Sequence, residues 1–317
     1  MKSLRKFLFA AVMMVVGMTA CQKESEYWEP SGIGASVKMT VYSPDAVSTK
    51  SLGDGTKATE LYYTAFVDGK PVHSLQKKVT LVNGKAELDL RLIRYVEYQF
   101  VFWAQAVPQD GEASPYDVGK FYDEATVSIN YQGLANDDSR DAFCASQEIL
   151  VKGRSDVKVV LRRPFAQVNF CSSDYEMLKA IGLHTDMKSE ARIYGLPDVL
   201  NVLDGSVSVS EGSSVPADAF FSLAAIPSGE DEYITVLDKQ YGYIGMNYIL
   251  ASEEGETVSV SARMQSGDCN WERELIPNVP VARNHKTHIV GDLFSEHAAI
   301  QIIIVPDFNT PDEIVNM

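Results

Sequence analysis

Tyr98-Gln99-Phe100-Val101-Phe102-Trp103-Ala104-Gln105-Ala106 is the stretch on which the fold turns. In an extended chain successive side chains point to opposite faces, so Tyr98, Phe100, Phe102 and Ala104 line one side while Val101 and Trp103 line the other. A strand that is apolar on both faces belongs inside a sandwich of sheets, not on its rim. Outward from it the same period of two recurs in short runs broken by turns, the mark of antiparallel sheets with one face buried. Val37, Met39 and Val41 form the first such run, and Leu61–Val67 the next. Asn83-Gly84 supplies the positive φ angles of a two-residue hairpin turn, which predicts Val82 opposite Lys85, Leu81 opposite Ala86, Thr80 opposite Glu87 and Val79 opposite Leu88. Asp68-Gly69 is a second turn of this kind, followed by a strand that Pro71 confines to an edge.

Val127–Tyr131, Ala142–Val151 and Val157–Leu161 complete a first set of strands, and Arg163-Pro164 changes the chain's direction. From Ala166–Cys171 the alternation restarts and continues through Ser206–Ser210, Ala219–Ile226, Tyr233–Leu237, Val258–Met264, Trp271–Ile276, Thr287–Leu293 and Ala299–Val305. One short helix is expected over Asp174–Leu183, with Asp174 at its start and Tyr175, Leu178 and Ile181 on one side. The class is therefore all-β, with an antiparallel β-sandwich at residues 35–165 and a second at 166–317, the helix lying near the start of the second. Two domains also suit a chain of 317 residues, longer than a single compact core usually holds.

The formal net charge is −15, so nucleic acid is not an expected partner. Besides Cys21 the chain has Cys144, Cys171 and Cys269, with no Cys-x-x-Cys spacing, so neither a disulfide framework nor a zinc knuckle is indicated. Three buried or semi-buried thiols are the preferred reading, and a single Cys144–Cys171 bridge is the alternative.

Residues 1–20 have the form of an export signal: Lys2, Arg5 and Lys6, then the apolar Phe7–Val16, then small residues. The apolar run is shorter than the roughly 20 residues of a membrane span. Met18-Thr19-Ala20-Cys21 resembles the lipobox of bacterial lipoproteins, which implies a covalent lipid on Cys21 as the sole non-protein group, a mature chain more acidic by three charges and an attachment to the outer membrane. Residues 21–34 begin polar and acidic and read as a flexible tether, and the acidic cluster beside Cys21 resembles the signal for display on the exterior face.

Chemistry is sparse. His285 and His288 are three apart, which on a strand places them on opposite faces and argues against a shared metal. Asn136-Asp137-Asp138 with Arg140 and Asp141 offers oxygens to calcium but lacks the glycine and distant glutamate of a calcium loop, so a solvated loop is expected. No nucleophile elbow or phosphate loop occurs, and the chain is not expected to be an enzyme; catalytic and metal residues are none. Tyr241–Tyr248 is aromatic and glycine-rich. Core packing is the preferred reading, with Tyr241, Tyr243, Tyr248 and Trp271 as the candidate surface for a glycan.

YQFVFWAQA (98–106), VVLRRPFAQVNF (159–170) and VARNHKTHIVGDLF (281–294), with LYYTAFV (61–67) and IQIIIVPDF (300–308), together resemble fimbrillin-like proteins of Bacteroidia. That resemblance implies two transthyretin-like β-sandwiches in a surface lipoprotein, a subunit of type V pili. It implies other pilus subunits as partners, joined when a protease removes the first strand and another subunit's strand fills the gap. Here that strand is Ala35–Ser43, and the polar loop to Thr59 holds Lys50 and Lys57 as candidate cleavage positions. No arginine occurs from Cys21 to Leu90, unlike members cut by an arginine-specific protease, which favours an anchor or accessory subunit over a polymerising shaft. A host or bacterial surface, or a glycan, is the further expected partner. The alternative function is an outer-membrane glycan-binding lipoprotein of a polysaccharide-uptake system.

Overall fold

A computed structural model describes residues 34–43, 52–109, 111–295 and 299–305. The expected all-β class holds, and five sheets build it. Two of them enclose the first core. One has Gly34–Tyr42 at its centre, between Ser155–Val160 and Lys85–Ile93. The other runs Phe143–Leu150, Glu97–Ala106, Ala58–Val67, Lys70–Pro71, with Lys77–Thr80 also paired to Ala58–Val67. Pro71 lies in the edge strand, and Asp68 (φ 50°) and Gly69 (φ 71°) form its turn.

The Asn83-Gly84 turn forms, with φ of 50° and 68° and Val82 and Lys85 exchanging backbone hydrogen bonds of 2.9 and 3.1 Å. The hairpin beyond it does not. Lys77–Thr80 pairs with Ala58–Val67 and Lys85–Ile93 pairs with Gly34–Tyr42, so the two arms enter different sheets. The turn reverses the chain, but Leu88 and Leu90 find a complete ladder and an apolar seat only beside Val37 and Met39.

Glu97–Ala106 behaves as its two apolar faces require. Tyr98, Phe100, Phe102 and Ala104 join the first core, while Val101 and Trp103 join a second, larger one. That second core lies between the sheet Tyr233–Val236, Lys239–Leu250, Phe165–Ser172, Lys286–Gly291, Ile300–Val305 and the sheet Cys269–Val281, Glu256–Ser266, Lys188–Leu196, Ala217–Ala225, Gln132–Leu134. Side chains from 116–142 contribute to it: Tyr116, Phe121, Val127, Ile129 and Tyr131 are all buried there. Their strands pair accordingly, Thr126–Ile129 with Val199–Asn201 and Gln132–Leu134 with Ala217–Ala225.

Among the described residues two short helices are present, Phe121–Glu124 and Tyr175–Ala180. The second is shorter than expected: Ile181 follows it, 64% exposed, and Gly182 turns the chain with φ 78°. Asp174 does not cap it. Its carboxylate instead accepts from Ser172 Oγ (2.7 Å), Phe294 N (3.0 Å) and Ser295 Oγ (2.9 Å), tying the helix start to the turn after the Lys286–Gly291 strand. The Tyr175 ring lies directly on Gly242, where any Cβ would collide with it, which explains one glycine of the aromatic run.

Candidate functional site, the seat of the first strand

The first strand fills a slot rather than lying at an edge. Its nine residues, Gly34–Tyr42, pair antiparallel with Lys85–Ile93 from Gly34↔Ile93 to Tyr42↔Lys85, and parallel with Ser155–Val160 from Val37↔Ser155 to Tyr42↔Val160. Ala35, Val37, Met39 and Val41 point inward and are at most 1% exposed. They meet Leu88, Leu90 and Leu92 of one neighbour, Val159 of the other, and Phe100 and Phe102 of the facing sheet within one core. β-Branched and unbranched apolar side chains alternate with Ser36, Lys38 and Thr40, so one face satisfies the core and the other meets water. On the wet face Glu87 bridges Lys38 (2.9 Å) and Lys85 (2.6 Å), whose hydrogen bonds hold its carboxyl down to about 2.

The chain returning from this strand is fixed at Gly53. Its N–H donates to Asp138 Oδ1 (2.8 Å), and its carbonyl accepts from Arg163 Nη2 (2.5 Å). Arg163 is also paired with Asp141 through Nε (2.8 and 3.0 Å) and Nη2 (2.8 Å), both side chains being 1% exposed, and its guanidinium lies 4.8 Å from the Phe143 ring centre. Asp138 also accepts from Tyr248 OH (3.1 Å), and burial raises its pKa. Leu52 N donates to Asp231 (3.3 Å), and Asp54 Oδ1 accepts from Thr56 N (2.9 Å) and Oγ1 (2.7 Å). Residues 52–56 are thus a tight turn clamped to a buried ion pair.

This overturns the solvated loop expected at 136–141. Asn136 accepts from Met246 N (2.8 Å) and donates to Ala225 O (2.9 Å), Asp137 accepts from Ser139 N (3.0 Å), and Asp138 and Asp141 serve the clamp. Among the described residues no group of three or more His, Cys, Asp or Glu side chains is placed to hold a metal ion. The acidic run gave no hint of Arg163, because the pairing is made only in three dimensions.

Of the candidate residues from sequence, Cys21 and Lys50 lie outside the described residues, and Lys57 is exposed just after the clamped turn. Tyr243 and Tyr248 are core side chains, 5% and 2% exposed. Tyr243 OH donates to Asn169 Oδ1 (2.8 Å), and Gln167 Nε2 donates to Tyr248 OH (3.1 Å). Tyr241 is half-buried on the same strand, whereas Trp271 belongs to another sheet and packs edge-on against Phe294, centroids 5.2 Å apart. The four do not form one surface. Cys144, Cys171 and Cys269 are free thiols, respectively half-buried, buried and exposed. Cys269 departs from the expected burial because it opens the second arm of a hairpin at a solvent-facing tip. Burial raises the Cys144 thiol to about 11.

His288, on the strand Lys286–Gly291, is buried, and His285, just before that strand, is half-buried. His288 Nδ1 lies 3.4 Å from Asn169 Nδ2 and 3.7 Å from Cys171 Sγ. The amide donates, so Nδ1 accepts and the ring proton sits on Nε2. Burial, with a smaller effect from Lys286, lowers the ring's pKa to about 3.

An all-β protein of packed sheets, with its first strand inserted between two others of its own sheet, is the class that these features define. The chain belongs to the family of unknown function DUF6562, whose model matches residues 34–317. Among solved structures, a candidate cell adhesion protein from Bacteroides uniformis is 10% identical, with 87% of this chain and 98% of that chain covered and a TM-score of 0.50. The tip fimbrial protein of Porphyromonas gingivalis with C-terminal truncation gives 9% identity, 86% and 99% coverage and a TM-score of 0.45. The fimbrial anchor protein of the same organism gives 13%, 86%, 97% and 0.43. The likeness is one of fold, the fold expected of fimbrillin-like proteins. No curated protein matches the chain.

Proposed function

We propose that the chain is a cell-surface structural subunit of fimbrial or adhesive type, held at the outer membrane by a lipid on Cys21, with the seat of its first strand as the place where another subunit's strand would enter if its own were released. One observation carries this reading: Gly34–Tyr42 is the central strand of a three-stranded sheet and fills an apolar slot with four side chains. Its loss leaves two unpaired ladders, Lys85–Ile93 and Ser155–Val160, on either side of a trough over Phe100 and Phe102. Open edges of that kind gain a row of backbone hydrogen bonds from any incoming strand of matching alternation.

The clamp at Gly53 bears on processing. A protease needs an extended substrate, and the turn through Asp54 and Thr56 opposes that at Lys57. Together with the lack of arginine from Cys21 to Leu90, this supports a subunit that keeps its own first strand, as an anchor or accessory component does.

Envelope extracts from intact cells, run on denaturing gels without boiling, test assembly: a mixed ladder containing this chain is expected, and a lone monomer band in both boiled and unboiled lanes defeats it. Replacing Cys21→Ala is expected to release the protein from the membrane; unchanged attachment rules out the lipid anchor.

A further inference from the structure

Two of the stretches that mark this sequence, around Arg162 and around Arg283, converge on one cavity of about 450 Å³ at the junction of the two cores. Pockets of roughly 300–1,000 Å³ are the usual size for small ligands. What distinguishes this one is its supply of unspent hydrogen-bond donors in a chain of net charge −15.

Arg163 is committed to Asp141, but its neighbour is not. Arg162 bridges Cys144 through its backbone alone (2.8 and 2.9 Å), and its exposed guanidinium has no hydrogen bond or ion pair among the described residues. Arg283 donates Nε to Ala251 O (3.2 Å) and Nη2 to Gly205 O (2.6 Å), which fixes its plane and leaves Nη1 without an acceptor among the described residues. His285 Nδ1 lies 2.7 Å from Arg283 O and donates to it, which leaves Nε2 as an acceptor with no partner among the described residues.

The remaining lining selects among anions. Asp204 accepts from Ser206 N (2.8 Å) and Oγ (2.7 Å), which lowers its pKa and keeps it ionised, and Glu253 is exposed beside it. Two carboxylates repel a compact multivalent anion such as phosphate, yet they accept well from hydroxyls. Val202 and Leu203 add an apolar patch that suits the C–H face of a ring.

We propose that this cavity binds the carboxylated ring of an acidic sugar, its carboxylate held by Arg162 and Arg283, its hydroxyls by Glu253 and Asp204, and its apolar face by Val202 and Leu203. Guanidinium pairs match a planar carboxylate, and such charge-assisted bonds are the strong ones. The site does not require release of the first strand, so it stands apart from strand assembly.

Calorimetric titration of the mature chain with a glucuronate-terminated oligosaccharide, N-acetylneuraminyl-lactose, lactose and inorganic phosphate tests it. At least one of the two acidic sugars is expected to bind about tenfold or more tighter than lactose, and Arg162→Ala to lose about tenfold in affinity with its thermal midpoint unchanged. Glu253→Gln should cost less. Binding of neither acid, equal binding of lactose, displacement by equimolar phosphate, or full affinity in Arg162→Ala each overturns the proposal. A multimer ladder that persists after any of these outcomes leaves the assembly reading intact.

Discussion

The inward face of the first strand and the whole of the strand Phe165–Ser172 are buried, and they are built on opposite principles. Ala35, Val37, Met39 and Val41 meet only apolar neighbours, so the strand's hydrogen bonds inside the slot are backbone bonds. Phe165–Ser172 buries every residue, Gln167 and Asn169 included, and its side chains form a chain from Asp138 through Tyr248, Gln167 and Asn169 to Tyr243 and His288. A slot that asks only for alternation accepts any strand of that pattern, whereas a polar network accepts one register and one partner. The slot is thus of the kind that tolerates exchange of its strand, and the network is of the kind that does not.

Each side of that comparison can be broken. The largest effect is expected from Met39→Asp, which places an unpaired charge in the apolar slot: a loss of about 4 kcal/mol or more in urea unfolding, while Met39→Leu stays within about 1.5 kcal/mol. A slot indifferent to Met39→Asp would mean that the strand is not seated there. Asp141→Ala leaves Arg163 buried without its carboxylate and is expected to cost about 3–5 kcal/mol; it should also raise the rate of proteolysis at Lys57, read by mass spectrometry of the fragments, by loosening Gly53.

His288 sharpens the contrast through pH. Its pKa in the fold is lowered to about 3 from an unfolded value of 6.5, so the unfolded chain takes up the proton first and stability is lost as pH falls from 6.5 toward 3. The slope is at most about 1.4 kcal/mol per pH unit from this one group, and His288→Gln should flatten it in denaturant titrations between those limits. The smallest effect is expected at Glu87, where Glu87→Gln removes the fully exposed bridge to Lys38 and Lys85: an unresolved change in the urea midpoint is predicted, and a large one would show that the wet face helps to retain the first strand.

The two apolar faces of Tyr98–Ala106 were legible in the sequence, and so were the turns at Asp68 and Asn83, because each depends on neighbours a few residues away. Alternation states which side of a strand is apolar but not which strand will complete its ladder. Hence Lys77–Thr80 and Lys85–Ile93 separate after their turn, and Val127 and Ile129 serve a core built mostly by later residues. The Arg163–Asp141 pair was hidden for a related reason, since an acidic run looks solvated until a distant arginine reaches it. Arg162, Arg283 and His285 stood inside stretches that were singled out, yet only the folded chain brings them to one cavity.

The pairing of Gly34–Tyr42 also sets how the molecule bears load. A pull on Gly34 along the strand direction strains the bonds to Lys85–Ile93 and to Ser155–Val160 together, in shear, instead of peeling them off one after another. A body suspended by this end would grip most firmly when dragged lengthwise, and would let go far more readily if the same strand were lifted sideways from its groove.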